Sequence, residues 1–471
     1  MIEKKQMDKT YAAKGGVDVD LCDEELDELF CAAFSNALAD LNNTGSVIIL
    51  PPDITRFHSK AGFLTCTACR ELNRRISGYH LGALLPALGT HAPMTSDELE
   101  KMFLGIPHEK FLMHDWRNDV TELGRIEADW IEKTCEGKVR YDFPAQVNKI
   151  LLKDGKDSCN FSMILSIGQV APHEVAGMSN HAKNLFVGTG GKEAIDKSHF
   201  SGAAYGMEKI MGRIDTPVRK IFDEALYRFS HELPPILWVL TVVGARNDVC
   251  GSPAVRGLFI GFGRECFEKA AKLSQEVNID IMDEPVQKAV VYLDPQEYRT
   301  TWLGNKAIYR TRMAIADNGE LLILAPGLKR FGEDLEMDAL IRKHGYKPSK
   351  EILAKVFNAD KSASNRTLSE NLCAAAHLIH GSSEGRFTVR YCTCSEDSFS
   401  GAKHSSEKQG LSKQEIESVG FEWGDLNEAQ ERYDIIKLSN RWNNLADGER
   451  IFFISNPALG LWAEKKKFYS F

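Results

Sequence analysis

Ser162-Met163-Ile164-Leu165-Ser166-Ile167, followed at once by Gly168-Gln169-Val170-Ala171-Pro172-His173-Glu174-Val175-Ala176-Gly177, is the stretch from which the fold can be read. A short, mostly apolar run is the pattern of a strand buried on both faces, as in a parallel sheet. The Gly, Pro and polar residues behind it form a loop at its C-terminal end. Ser46-Val47-Ile48-Ile49-Leu50 follows the same pattern and delivers Pro51-Pro52-Asp53-Ile54-Thr55-Arg56 in the same way. Further strands are expected at 149–152, 236–243 and 258–261, with helices at 23–38, 60–75, 96–104, 216–230 and 264–275. This alternation predicts a wound α/β sheet, and such sheets bind ligands beyond the C-terminal ends of their strands.

At 471 residues the chain exceeds one ordinary core, so two domains are expected, 1–280 and 285–450. The second opens with a strand at 288–293, a helix at 297–317 and a strand at 321–325. The run Ile451-Phe452-Phe453-Ile454 reads as a last strand returning, with 451–471, to the first domain. The expected architecture is therefore two α/β domains flanking a cleft and joined by a hinge.

A net charge of −8 gives no overall basic field, which argues against nucleic acid as a partner. No apolar run is long enough to span a bilayer, and Met1-Ile2-Glu3-Lys4-Lys5-Gln6 lacks a signal-peptide core, so a cytoplasmic protein is expected. Eleven cysteines, an odd number without a spaced framework, suit reduced thiols. Cys66 and Cys69 form a CxxC with no second pair and read as packing on a helix, and Cys392 and Cys394 read likewise on a strand.

The chemistry-bearing residues sit on loops. His173 follows a strand end, Lys183 comes ten residues later and His199 sixteen beyond that, with Gly188-Thr189-Gly190-Gly191 between. Glycines let a backbone approach an anion, but this cluster matches neither a Walker loop nor GxGxxG, and alone it reads as a turn. His91, in Gly89-Thr90-His91-Ala92-Pro93, precedes a helix start that Thr95 or Ser96 can cap. A lone loop histidine serves equally well to satisfy carbonyls. His114-Asp115 reads as a loop-orienting pair, and His377 with His380, at i and i+3, as helix packing without a third metal ligand.

Taken together, Asp53-Ile54-Thr55-Arg56, Gly89-Thr90-His91 with Pro93, His114-Asp115-Trp116-Arg117, Gly168 with Pro172-His173-Glu174 and Gly177, and Lys183 with Gly188 and His199 resemble the lactate racemase family, the nickel-pincer 2-hydroxyacid racemases and epimerases. The likeness covers the first domain well, thins from 217 to 281 and returns at Lys306-Ala307 and Asn318-Gly319-Glu320.

That resemblance implies an isomerase that moves hydride to and from a nickel-pincer nucleotide through a 2-ketoacid. It implies cofactor-synthesis enzymes as partners and a small 2-hydroxyacid as substrate. Lys183 matches the lysine that carries the cofactor covalently, His199 the nickel-ligating imidazole, and His91 and His173 the acid/base pair. Asp53 and Arg56 match the loop that meets cofactor and substrate, the glycines Gly188, Gly190 and Gly191 are taken with the cofactor, and Lys306 matches a carboxylate-binding lysine. The route suits the residue types: a carboxylate next door leaves the α-proton too weakly acidic for imidazole, whereas a hydroxyl proton is within reach of a group titrating near neutrality. Soft sulfur donors with imidazole suit nickel.

Two departures stand out. Asn180-His181 replaces a pair of glycines beside Lys183, which places His181 as an extra polar group in the site, and Leu303, beside Trp302, replaces a substrate-binding glutamine. A substrate other than lactate is therefore expected. The alternatives are a zinc hydrolase using His91, His173 and His199 with Glu174 as base, and a non-catalytic hydroxyacid-binding homologue.

Overall fold

The structure is a computed structural model that describes residues 8–41, 43–153, 160–245, 253–358, 368–394 and 410–470, so Met1–Gln6 lies outside it. The chain is a mixed α/β protein that packs into two compact units. One comprises Met1–Tyr205 and Ile210–Asn278, the other Gly206–Lys209 and Ile279–Phe471.

The first unit is built on a six-stranded sheet in the order Thr10–Gly15, Pro253–Gly261, Ile236–Ala245, Met163–Gln169, Gly45–Leu50, Tyr79–Leu84. The last four strands are mutually parallel, and Pro253–Gly261 pairs antiparallel with both its neighbours. Every residue of Met163–Gln169 is buried, as its mostly apolar run suggests. The helix Asp23–Leu41 turns Leu26, Phe30, Ala33, Phe34, Ala37 and Leu38 inward at three- and four-residue spacing, and Ala61–Asn73 adds Leu64, Ala68 and Leu72. These side chains share one core with Ile49, Leu165, Ile167, Val239 and Leu258. Because the sheet is parallel here, the loops bearing Asp53, His91 and His173 all leave from the same edge.

The second unit has its own six-stranded sheet, in the order Glu422–Asp425, Thr388–Thr393, Ile315–Leu324, Val286–Tyr292, Arg450–Ile454, Arg441–Asn444, antiparallel only at the last pair.

Three expectations change. The strand is Phe143–Asn148, and 149–152 is a single tight turn because the Asn148 side chain accepts the Ile150 N–H at 3.1 Å. The helix at 297–317 splits into Thr301–Gly304 and Lys306–Thr311, with the Thr300 side chain capping the first, and by Ile315 the chain is already a strand. Ile451–Ile454 does not return to the first unit. It pairs in parallel with Val286–Tyr292, where a run buried on both faces finds a two-sided sheet. The segment that changes unit is Gly206–Lys209 instead.

Leu165 lies on a central strand at zero exposure. Leu165→Ala is expected to cost about 2–5 kcal/mol, read as a lowered urea midpoint. A loss well under 1 kcal/mol would contradict this placement.

Candidate functional site

Asp53 begins the loop after Gly45–Leu50 and is held at both oxygens. Oδ1 accepts the Thr55 N–H at 3.1 Å and the Thr55 hydroxyl at 2.5 Å, and Oδ2 lies 2.5 Å from His91 Nδ1. Burial pushes the Asp53 carboxyl up, but the His91 hydrogen bond and charge and the two Thr55 bonds outweigh it and bring the group down to about 2. An ionised Asp53 accepts the Nδ1–H of His91, which in the neutral ring leaves the lone pair on Nε2. The ring is half-exposed, on the open side of the site.

His173 sits in a two-residue bridge, Pro172–His173 with Gly177–Met178. The Val175 N–H donates to its Nδ1 at 3.1 Å, which leaves the proton of the neutral ring on Nε2. Burial drives its titration well below the ordinary histidine range, and Lys183, His199 and Arg56 add to that, while Glu174 opposes it. Glu174 Oε2 stands 3.9 Å from Nδ1 and is the nearby counter-charge for a doubly protonated ring. Each of the two histidines thus has a carboxylate of its own.

Lys183 starts the helical turn Asn184–Gly188. Burial, then Arg56 and Arg219, bring its amine down to about 8 against the opposing pull of Glu174 and Asp53. A sizeable fraction is therefore an uncharged nucleophile near neutrality. His199, on the helix Lys192–Tyr205, donates Nδ1–H to the Ile195 carbonyl at 2.7 Å. Burial and Lys183 bring it down to about 4. A neutral imidazole with its Nδ1 proton pinned offers Nε2 outward, the form in which histidine binds a metal.

The structure thus gathers Asp53, Arg56, His173, Lys183 and His199 into one electrostatic neighbourhood, joined to His91 through Asp53. It gives other candidates different duties. A side chain at Gly190 would overlap the Phe186 carbonyl oxygen, and one at Gly188 or Gly191 would come within 2.8 Å of Ala87 or 2.6 Å of Gln146. These glycines allow close packing of the chain against itself. His114 is buried between the Gly190 carbonyl, 3.1 Å from Nε2, and Asn148 Nδ2, 3.0 Å from Nδ1, and it secures the same turn. Asn180 and His181 both adopt left-handed backbone, φ 66° and 55°, the conformation that glycine takes without strain. His181 does not enter the site: its ring packs on Trp238 at 4.4 Å and Phe267 at 5.2 Å.

In the second unit, Trp302 stacks on His377 at 4.2 Å, and His377 Nε2 is 2.9 Å from the Tyr346 hydroxyl, itself 2.7 Å from Thr301 Oγ1. His377 is thus a buried support for Trp302. Leu303 is partly exposed beside it, and Lys306 lies 5.7 Å from the Tyr298 ring centre. Among the described residues no group of three His, Cys, Asp or Glu side chains is arranged to hold a metal ion, which removes the support for a three-histidine zinc site. The described cysteines are free thiols, and no helix among the described residues is long and apolar enough to cross a membrane. Sequence reasoning gave Glu174 no part in the racemase site, and only its place beside both His173 and Lys183 reveals one.

Residues 21–209 match the lactate racemase N-terminal domain family. Over 96% of its length the chain is similar to the whole of a crystal structure of a protein from Thermotoga maritima, with TM-score 0.74 and 23% identity. Over 97% it is similar to the whole of the lactate racemase apoprotein from Thermoanaerobacterium thermosaccharolyticum, with TM-score 0.63 and 16% identity. No curated protein matches the chain.

The electrostatics set a pH dependence of stability. Burial keeps His173, His181 and His199 neutral in the folded protein, while in the unfolded chain they protonate near 6.5. As pH falls below about 6.5 the unfolded state therefore binds more protons, and stability is expected to drop. A second loss follows below the unfolded Asp53 value of 3.8, as pH falls toward its folded value of about 2. That term is worth roughly 2 kcal/mol at most. Urea midpoints measured from pH 7.5 to 3 should show both stages, His199→Gln reducing the upper and Asp53→Asn the lower. A midpoint constant between pH 7 and 4 would refute the assignment.

Proposed function

With residues 21–209 matching the lactate racemase N-terminal domain as the premise, we propose that the chain is an isomerase, a racemase or epimerase that inverts the hydroxyl-bearing carbon of a 2-hydroxyacid. The observation that carries the proposal is the pairing of Lys183, an amine brought down to about 8, with His199, an imidazole whose Nδ1 is pinned and whose Nε2 is open. These two residues fit a nickel-pincer nucleotide, Lys183 as its covalent anchor and His199 as the protein ligand to nickel. When bound, that group supplies the acceptor and donor for the substrate's α-hydrogen.

The chain's own residues handle the hydroxyl proton and the carboxylate. His91, with Nδ1 engaged by Asp53, accepts the proton at Nε2, and Asp53 stabilises the resulting imidazolium. His173 is the second acid/base group: it gives a proton from Nε2 only as the doubly protonated ring, in which Nδ1–H would exchange the Val175 N–H for Glu174 as its counter-charge. One acceptor and one donor are what inversion needs, since the proton leaves one enantiomer and returns to the other from a different side. Arg56 orients the carboxylate by a charge-assisted bond, and Lys306 is assigned the same task by its match to the carboxylate-binding lysine of the family.

Trp302 and Leu303 set the substrate's side chain. Leu303 cannot hydrogen-bond a carboxylate, and losing such a bond costs about 1.5–3 kcal/mol, or one to two powers of ten in affinity. A longer acid, such as a sugar acid, is therefore favoured over lactate.

Intact-mass measurement of protein from its native host is expected to show a covalent adduct at Lys183 that Lys183→Ala removes without unfolding the protein. An adduct of unchanged mass in that variant would refute the anchor. Cofactor-loaded enzyme given a panel of D- and L-2-hydroxyacids in deuterated water should invert its substrate with the α-hydrogen retained, and lactate should not be the best substrate. Rapid α-deuteration would instead indicate proton abstraction from carbon.

A further inference from the structure

The turn leading into Lys183 is tied, besides the bonds of Ser179 to Gln169 and Ala171, to one distant segment. Thr216 Oγ1 donates to the Ala176 carbonyl at 3.1 Å and the Gly212 N–H to the Gly177 carbonyl at 3.0 Å. Arg219, three residues after Thr216 on the helix Pro217–Phe229, then donates Nη2 to the Met178 carbonyl at 2.5 Å and Nη1 to the Asn180 carbonyl at 3.1 Å. Its side chain has zero exposure, its Nε has no hydrogen-bond partner, and its guanidinium lies 4.4 Å from the Phe267 ring centre. The carboxylate nearby, Asp223, is taken by Arg264. A cation buried in this way is costly unless its donors serve a purpose, and both hydrogen bonds of Arg219 are spent on the backbone of one turn.

That turn is strained. Asn180 and His181 are both left-handed without being glycine; Asn tolerates that conformation singly, but two such residues in succession need support from their surroundings. Two carbonyls fixed by one rigid, planar fork, with the His181 ring clamped between Trp238 and Phe267, enforce it here. Lys183 follows two residues later.

We propose that Arg219 is the positioning residue of the cofactor anchor: its two-carbonyl clamp holds the Asn180-His181 turn in left-handed form and thereby fixes where the Lys183 amine stands. The charge of Arg219 also favours the uncharged amine, alongside that of Arg56 and against Glu174 and Asp53, with His173 and His199 as the other titratable groups facing Lys183. The role of the anchor rests on the proposed function, whereas the clamp is a property of the chain alone.

The test uses full-length protein without cofactor, and reads Lys183 by competitive acetylation and mass spectrometry across pH, with Lys192 as an internal reference. Circular dichroism reports folding. In Arg219→Met the midpoint of Lys183 labelling is expected to move up, leaving at least threefold less free amine at pH 8, while Lys192 does not change. Arg219→Lys keeps the charge but cannot span two carbonyls, so it should hold the midpoint near that of the unsubstituted protein yet load cofactor poorly in the native host. Adding Asn180→Gly, which relieves the strain, should restore loading to Arg219→Lys. If Arg219→Met fails to fold, Arg219→Lys and its glycine rescue carry the test alone. A folded Arg219→Met with an unchanged Lys183 midpoint, or an Arg219→Lys protein that loads normally, would overturn the proposal. Absence of any adduct in the unsubstituted protein would count against the proposed function and leave the labelling result to decide the clamp.

Discussion

Charged groups taken out of water govern this protein's candidate site. Lys183, His173 and His199 lie close together at one edge of a parallel sheet, and burial is the largest influence on all three. Water would keep the amine charged, and an exposed imidazole would titrate near neutrality. Here the amine is partly free and the imidazoles are neutral, the states in which nitrogen can form a bond to carbon or metal.

Asp53 and Glu174 are the counterweight. Nitrogen lone pairs alone can accept protons but cannot hold the charge that results, and a carboxylate beside each of His91 and His173 is placed to supply that compensation. The two pairs differ. Asp53, itself buried, meets the half-exposed His91 at 2.5 Å, whereas Glu174 is 3.9 Å from a His173 ring whose Nδ1 is occupied by a backbone N–H. The two histidines therefore begin from opposite protonation patterns at Nε2.

Much of this was legible in the sequence where local pattern and tertiary outcome coincide. The apolar runs at 46–50 and 162–167 are strands because only a sheet covered on both faces buries them, and the loops they deliver carry Asp53 and His173. What was not legible depends on partners far along the chain. His181 reads as a polar neighbour of Lys183, but the left-handed backbone turns its ring toward Trp238 and Phe267, which lie 57 and 86 positions away by number. Arg219 is one of many arginines until its burial is known. In the second unit, residues 297 to 317 read as one helix, but the Thr300 cap and the early start of the Ile315–Leu324 strand divide it.

The helix that carries His199 ends at Tyr205, and the next four residues, Gly206–Lys209, belong to the other unit, where Glu208 pairs with Arg312 and Arg386. Gly206 makes the change of direction at φ 114°. The first unit is therefore not a contiguous stretch of gene. A chain cut at Asn278 would keep Glu208 but lose both arginines, leaving the segment just past the His199 helix without its anchorage. Modular exchange of one unit between relatives, the common way in which two-domain enzymes acquire new substrates, would here have to carry a four-residue splice inside the first half of the chain.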